Sequence, residues 1–337
     1  MLMCKRIFAH QTSEQGDVPF YKIGTIGAEP DAYISRELFE DYKAKYNYPR
    51  EGEVMVTCAG TVGKTIVFNG DDSYYQDSNI VWLSNPKQLY LNSFLNYYLS
   101  RVNWNKLNST TITRIYNDNL RELIIKYPSV EEQEKIVSLL SLLDQRIAVQ
   151  NKVIEKYESL IKALAYENIG KHTTNKTLSE CVRCSSSTIK ESDLLDGGTV
   201  PTYGASGISG YMDNALSEND SILITKDGSG VGYLRYVRGP HSFVGTLNSM
   251  TPNEGVYLPY IYYALQNVCF ESYRTGQAIP HIYFKDYGKE AIYCPSFDEQ
   301  KRLAKGLKMI DSKVEIERAV LQYLHSAKAY LLSAMFI

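Results

Sequence analysis

The chain has 337 residues and nearly balanced charge, with 36 lysines and arginines against 38 aspartates and glutamates. A net charge of -2 excludes a protein that binds nucleic acid through bulk positive charge, so such contacts would need local patches. No apolar run reaches the length of a membrane span, and no apolar segment behind the first residues could serve as a secretory signal. The scattered cysteines fit reduced thiols, so we expect a cytoplasmic protein without a disulfide framework or membrane contact.

The first predicted strands flank a glycine-rich turn. Residues 53–57 and 65–68 are rich in β-branched and apolar side chains, and this pattern predicts a strand, a turn and a returning strand. The turn partly matches a phosphate-binding P-loop, but Cys58 stands where that motif needs glycine, and a strand follows where a helix is required. Two interpretations stay open: a purely structural turn, or a turn whose backbone approaches a DNA phosphate.

A short amphipathic helix is predicted over residues 89–101, and a polar segment follows at 108–116. The segment contains arginine, threonine, serine and tyrosine, which are side chains that bind phosphates and read base edges. An ordinary solvated loop is the other interpretation.

The first long helix is predicted from Pro128, because a Pro-Ser start with acidic residues in the first turn favours a helix beginning. Apolar residues then recur at alternating steps of four and three, which is typical of a coiled-coil seam. The seam positions are Ile136, Leu140, Leu143, Ile147, Gln150 and Ile154. The polar Gln150 interrupts the seam, and such a residue costs stability but fixes register and partner.

The second half of the chain repeats the first after a linker at 170–175. Pro128–Gln133 recurs as Pro295–Gln300, and the shift of 167 positions between Pro128 and Pro295 holds without a gap to the end of the chain. The elements predicted in this half are strands at 221–225 and 233–237, a helix at 258–273 and a polar segment at 272–283. The second seam is Leu303, Leu307, Ile310, Val314, Glu317 and Leu321.

Neither long helix can bury its seam alone, so each is expected to pack on the other. The alternative is that each helix lies on its own domain. Cys181 and Cys184 form an isolated pair without further ligands at zinc-finger spacing, so no metal site is expected. No catalytic motif is present in the sequence, and we expect a protein that is not an enzyme.

With these features in place, the chain resembles the specificity subunit of type I DNA restriction–modification systems. The resemblance rests on the duplicated Pro-Ser-x-x-Glu-Gln openings, on the Leu-x-x-Leu-Asp pattern at 140–144 with its partner ending in Asp311, and on the Ile-Pro-His-Ile-Tyr segment at 279–283. It implies an α+β fold in which two similar mixed α/β target-recognition domains are separated by an antiparallel pair of long coiled-coil helices, related by a pseudo-twofold repeat.

The resemblance also implies four segments: a first recognition domain at 1–127, a spacer helix at 128–170, a second recognition domain at 171–294 and a second spacer helix at 295–337. The second copy opens with Thr177–Val182, and no matching segment precedes Pro19. The first domain is therefore expected to be shortened at its N-terminus.

The implied partners are double-stranded DNA, two modification (methyltransferase) subunits that dock on the helices, and a restriction/translocase subunit. The chain itself is expected to bind no cofactor, because the methyl donor, ATP and Mg²⁺ belong to those partners. The candidate DNA-binding residues are Thr61, Lys64, Ser109, Thr110, Arg114, Tyr116, Lys226, Ser229, Arg274, Thr275, Gln277, His281 and Tyr283.

Each domain is expected to read one half of a gapped DNA site, and because the two domains differ in sequence, the target is expected to be asymmetric. A different class of protein remains as the alternative: a coiled-coil adaptor that presents two protein-binding domains.

Overall fold

The computed structural model describes residues 1–85, 89–104, 114–195, 197–276 and 279–336, with only the backbone of Asn117. The chain folds into two compact units, the first formed by residues 1–149 and 321–337 and the second by residues 150–320. Because the division falls inside both long helices, each unit contains one α/β domain and part of each helix.

The first unit contains two three-stranded sheets. Its strands are β1 (Val18–Tyr21), β2 (Tyr33–Ile34), β3 (Val54–Thr57), β4 (Thr65–Val67), β5 (Tyr74–Tyr75) and β6 (Ile80–Trp82), and its short helices are α1 (Arg36–Lys45), α2 (Asn92–Ser100) and α3 (Asn117–Arg121). Strand β1 is antiparallel to β2 and parallel to β5. Strand β3 lies between β4 and β6 and is antiparallel to both.

Strand β3 is covered on both faces. Met55 packs in one apolar cluster with Trp82, whereas Val54 and Val56 pack in another with Leu95 of α2. Because successive side chains of a strand point to opposite faces, a strand at the centre of two clusters has no polar face. This explains why the sequence at 54–57 shows no polar alternation.

The second unit repeats this topology. Its strands are β7 (Lys176–Thr177), β8 (Val182–Ser186), β9 (Val200–Gly204), β10 (Gly207–Met212), β11 (Ser221–Thr225), β12 (Leu234–Val237), β13 (Ser242–Phe243), β14 (Leu247–Pro252) and β15 (Ala291–Ile292), and its short helices are α5 (Leu178–Cys181), α6 (Leu258–Ala264) and α7 (Phe284–Tyr287). Strand β11 lies between β12 and β14 as β3 lies between β4 and β6. Strand β9 is antiparallel to β10 and parallel to β13, like β1 with its neighbours. Strand β8 extends the larger sheet beside β14.

The predicted helix over 258–273 was wrong as a single element. Helix α6 ends at Ala264, and two short 3-10 turns follow at Leu265–Asn267 and Phe270–Tyr273. Val268 between them is extended, with φ -89° and ψ 129°. The side-chain amide of Asn267 donates to the carbonyl of Ala165 at 3.3 Å, so a tertiary contact at the end of the first long helix accompanies the break.

The two long helices are α4 (Val130–Ala165), which continues as a π turn at Tyr166–Gly170, and α8 (Phe297–Met335). In the first unit, Lys328 forms an ion pair with Asp144, and Leu140 belongs to the same apolar cluster as Phe336. A later position of α4 thus meets an earlier position of α8, so the two segments are antiparallel. No helix in the described residues is both long and apolar enough to cross a membrane.

In the second unit, the polar seam positions bond to each other. The buried side-chain amide of Gln150 donates to the backbone carbonyl of Glu317 at 3.1 Å and to the carboxylate of the same residue. Lys313 lies 2.8 Å from that carboxylate. The predicted seam residues of both helices are all buried or half-buried. A bonded polar pair in an otherwise apolar seam holds the helices in one register, because any slip would bury both groups without partners.

The glutamine that ends each Pro-Ser-x-x-Glu-Gln motif is buried, and its side chain joins the long helix to the segment before a short helix. Gln133 accepts a hydrogen bond from the backbone N–H of Leu91 at 2.8 Å and donates to the carbonyl of Pro128 at 2.9 Å. Gln300 makes the matching bonds with Tyr257 and Pro295, both at 2.8 Å. Leu91 itself is extended, so α2 begins at Asn92 and not at residue 89 as predicted.

We expect Gln133→Ala to lower the free energy of unfolding by about 1–3 kcal/mol, because it leaves a buried N–H and a carbonyl without partners. Gln145→Ala on the exposed face of the same helix is the matched control and should change stability by less than about 0.5 kcal/mol. Urea denaturation of the two variants measures the difference. Equal stability of both would show that Gln133 does not join α2 to the long helix.

Candidate nucleic-acid interface

Each domain has a glycine turn between two antiparallel strands, β3 to β4 in the first and β11 to β12 in the second. Gly63 and Gly232 have φ values of +81° and +85°, which favour glycine. The amide of Gly63 donates to the carbonyl of Thr57 at 2.8 Å, and that of Gly232 donates to Thr225 at 2.9 Å. Because both amides bond within the turn, they are not free to bind a phosphate, which favours the structural interpretation for these two glycines.

An aromatic side chain packs on each turn. A Cβ atom at Gly63 would overlap the indole ring of Trp104, which is buried. A Cβ atom at Gly232 would lie 2.6 Å from the Cβ atom of Phe270. Each turn therefore packs against a residue that precedes the polar segment of its domain in the sequence.

In the second domain, the polar segment contacts the glycine turn directly. Thr275 and His281 exchange two backbone hydrogen bonds of 2.9 Å, so these two residues lie side by side. The amide of Gly228 in the turn then donates to the carbonyl of Pro280 at 2.9 Å. The structure thereby brings together the candidate residues Lys226, Ser229, Thr275 and His281.

The first domain has the same junction. The amide of Ile115 donates to the carbonyl of Cys58 at 2.9 Å, and that of Ile282 donates to Lys226 at the same distance. Burial raises the pKa of the Cys58 thiol to about 11, and the nearby positive charge of Arg114 opposes the shift. Arg114 thus lies beside the glycine turn.

The other candidate residues of the first domain differ in their exposure to solvent and in their contacts within the protein. Thr61 is exposed at the tip of the turn, and Tyr116 is 57% exposed. Lys64 is tied to the neighbouring loop, because its ammonium group donates to the carbonyl of Ile26 at 2.5 Å. Ser109 and Thr110 lie outside the described residues.

The remaining candidates of the second domain take part in an ion pair and in aromatic contacts. Arg274 forms an ion pair of 2.6 Å with Glu271, and both side chains are exposed. The rings of His281 and Tyr283 are 4.9 Å apart at an angle of 71°. The ammonium group of Lys285 lies 5.1 Å from the centroid of the Tyr283 ring. Gln277 lies outside the described residues.

Sequence reasoning missed an arginine on strand β12. The guanidinium carbon of Arg235 lies 5.6 Å from the ring centroids of both Tyr203 and Tyr233. A residue-by-residue alignment of the two repeats through their glycine turns could have found it, since the matching position of the first domain is the apolar Ile66. Among the described residues, no cluster of three or more histidine, cysteine or acidic side chains could hold a metal ion.

Two α/β domains of one topology, each with an exposed polar junction and part of an antiparallel helix pair, define a bivalent recognition scaffold. The chain matches the family described as the type I restriction modification DNA specificity domain twice, at residues 2–159 and 174–325, and it belongs to that family. The predicted fold class and the predicted resemblance are thereby confirmed.

Three relatives show the extent of the similarity. A type I restriction enzyme specificity subunit of Haemophilus influenzae is 51% identical over 138 residues, which cover 41% of this chain and 36% of that relative. A type I specificity subunit of Mycoplasma pneumoniae is 24% identical over 314 residues, which cover 84% of this chain and 82% of the relative. The crystal structure of the S subunit of a type I restriction–modification system from M. genitalium shares the fold, with a TM-score of 0.58 at 22% identity over 99% of this chain and 92% of that chain.

Proposed function

We propose that this chain is the DNA-binding specificity subunit of a type I restriction–modification complex, in which each domain reads one half of a gapped, asymmetric site. The matched junctions of the two domains support this proposal. Both hold a glycine turn against a polar segment through the same backbone hydrogen bond, Ile115 to Cys58 and Ile282 to Lys226. The backbone arrangement is the same in both domains, but the side chains that it presents differ between them.

These differences are the reason to expect an asymmetric target. At one pair of matching positions the first domain presents Arg114, whereas the second presents His281. Side chains of different donor and acceptor pattern read different base edges in the major groove. Two halves of different sequence follow from two such surfaces.

The outer faces of the long helices support the proposed docking of two modification subunits. Along α8, apolar side chains that are between 56% and 73% exposed recur at every seventh position: Met309, Ile316, Tyr323 and Tyr330. At the positions related by the 167-residue shift, α4 exposes Leu142 and Val149. A heptad spacing places such residues on one face, which suits a partner helix.

In this proposal the chain contributes no catalytic group. The methyl donor, ATP and Mg²⁺ are bound by the modification and restriction/translocase subunits, and the specificity subunit supplies position and sequence choice. The candidate residues above act on DNA through phosphate contacts and base readout.

A salt titration of duplex binding tests the proposal against the protein-binding adaptor. The affinity of the chain, bound to its modification partner, is measured by gel shift at increasing salt concentration. The logarithm of this affinity should fall steeply and linearly with the logarithm of the salt concentration. A complex with six to ten phosphate contacts loses about 10³–10⁵ in affinity between 50 and 200 mM salt. No binding to duplex DNA at low salt, or binding that salt leaves unchanged, would favour the adaptor.

A further inference from the structure

Arg235 lies on the edge strand β12 with its charge directed at aromatic rings. Its guanidinium carbon is 5.6 Å from the ring centroids of Tyr203 and Tyr233, close enough for cation–π attraction to both. Arg235 is half-buried, and Tyr233 is 50% exposed. Contact with two rings restricts the rotamers of the guanidinium.

The other arginines of the second unit are engaged differently. Arg238, Arg274, Arg302 and Arg318 each form an ion pair with a glutamate, and Arg183 donates to the side chain of Asn253. Within the described residues, Arg235 forms neither an ion pair nor a side-chain hydrogen bond, although it is fixed in place by aromatic contacts. Its N–H donors therefore have no side-chain acceptor among the described residues and can bond to a ligand outside the protein.

The fold does not require an arginine at this position. The hydrogen bonds from Thr57 to Lys64 and from Thr225 to Tyr233, both 3.0 Å, align the two turns residue by residue. Two positions further along the strand, the first domain has Ile66, which packs against an apolar cluster. The same strand position is thus filled by an apolar side chain in one copy and by a positioned cation in the other.

We propose that Arg235 reads a guanine in the half-site of the second domain, with Tyr203 and Tyr233 as positioning residues. The inference rests on the proposed function. A planar guanidinium presents paired N–H donors that match the O6 and N7 acceptors of guanine in the major groove. Strand β12 follows the glycine turn that contains Lys226 and Ser229, and Arg235 lies two residues beyond Tyr233 at the end of that turn.

Methylation mapping of the complex with its modification partner tests the assignment. Arg235→Ala should relax the choice of base at one G·C pair of the second half-site by about tenfold or more and leave the first half-site unchanged. Arg235→Lys should relax the same position, because an ammonium group cannot bond both acceptors in the fixed geometry of a guanidinium. Arg235→Ile, which copies the first domain, should keep the melting temperature and lose the discrimination.

Matched variants separate positioning from structure. Tyr233→Phe keeps the ring and should leave the sequence choice unchanged, whereas Tyr233→Ala should relax the same base position as Arg235→Ala. Arg183→Ala removes an exposed arginine of the same domain that bonds Asn253, and it should change neither half-site.

Two results would overturn the assignment while leaving the proposed function intact. One is an asymmetric motif that all Arg235 variants share with the wild type. The other is a uniform loss of affinity across all sequences with a smaller salt dependence, which would make Arg235 a phosphate contact. A wild-type complex that methylates no defined motif would overturn the proposed function together with this inference.

Discussion

Gly63→Ala should destabilise the chain by about 2–5 kcal/mol, because it combines backbone strain with overpacking. Its φ of +81° disfavours any residue with a Cβ atom, and that atom would overlap the buried indole ring of Trp104. Trp104 belongs to the apolar cluster that includes Val56, Leu95 and Ile115. Displacing the ring should therefore also disturb the junction of the first domain and weaken the reading of its half-site.

The control for Gly63→Ala is Gly239→Ala. Gly239 has a φ of +67°, but no atom lies within 4 Å of the position of an added Cβ, so only backbone strain of about 1–2 kcal/mol is expected. Denaturant unfolding measures stability, and methylation mapping measures the first half-site. Equal destabilisation by both variants would show that Trp104 does not fix the turn.

Inserting one heptad into each long helix, after Gln150 and after Glu317, should lengthen the unread gap of the DNA site by about three base pairs. Seven helical residues add about 10 Å, and DNA rises 3.4 Å per base pair. A heptad preserves the phase of the apolar seam, so both helices can still pair. Neither half-site should change, because no residue of either domain is altered.

An insertion of three residues into α4 alone is the control for the heptad insertion, because it moves the seam out of phase with α8. It should abolish specific binding. A gap of unchanged length in the double heptad variant, or a change in either half-site, would contradict the role of the helices as a spacer. The measurement is again the methylated sequence produced by the complex.

The long helices were the part of the structure most accessible to sequence reasoning. Their apolar spacing and the ungapped repeat from Pro128 and Pro295 predicted both elements and the polar interruption of each seam. That Gln150 and Glu317 bond to each other could not be derived from either helix alone. The two residues are equivalent in the repeat, and antiparallel pairing is what brings them together.

The candidate site was predicted less completely, because its contacts join residues distant in sequence. The equal offset of the two polar segments before the helices indicated Arg114 as a candidate, but neither its place beside the turn nor the bond from Lys64 to Ile26 was predicted. Gln133 and Gln300 were predicted only as part of the helix beginnings, because Leu91 and Tyr257, which bond to them, lie more than 40 positions upstream. Arg235 was missed because the register of the repeat shifts within the turns.

In the proposed function, the two domains of this chain read two different halves of one DNA site. This division is measured by mapping the methylated bases in DNA exposed to the chain and its modification partner, with Arg114→Ala as the variant that affects only the first domain. We expect the wild-type complex to methylate a bipartite, non-palindromic motif with a fixed gap. Arg114→Ala should change only the half of that motif that the first domain reads. A continuous or palindromic motif, or a variant that alters both halves alike, would show that the two domains do not read separate half-sites.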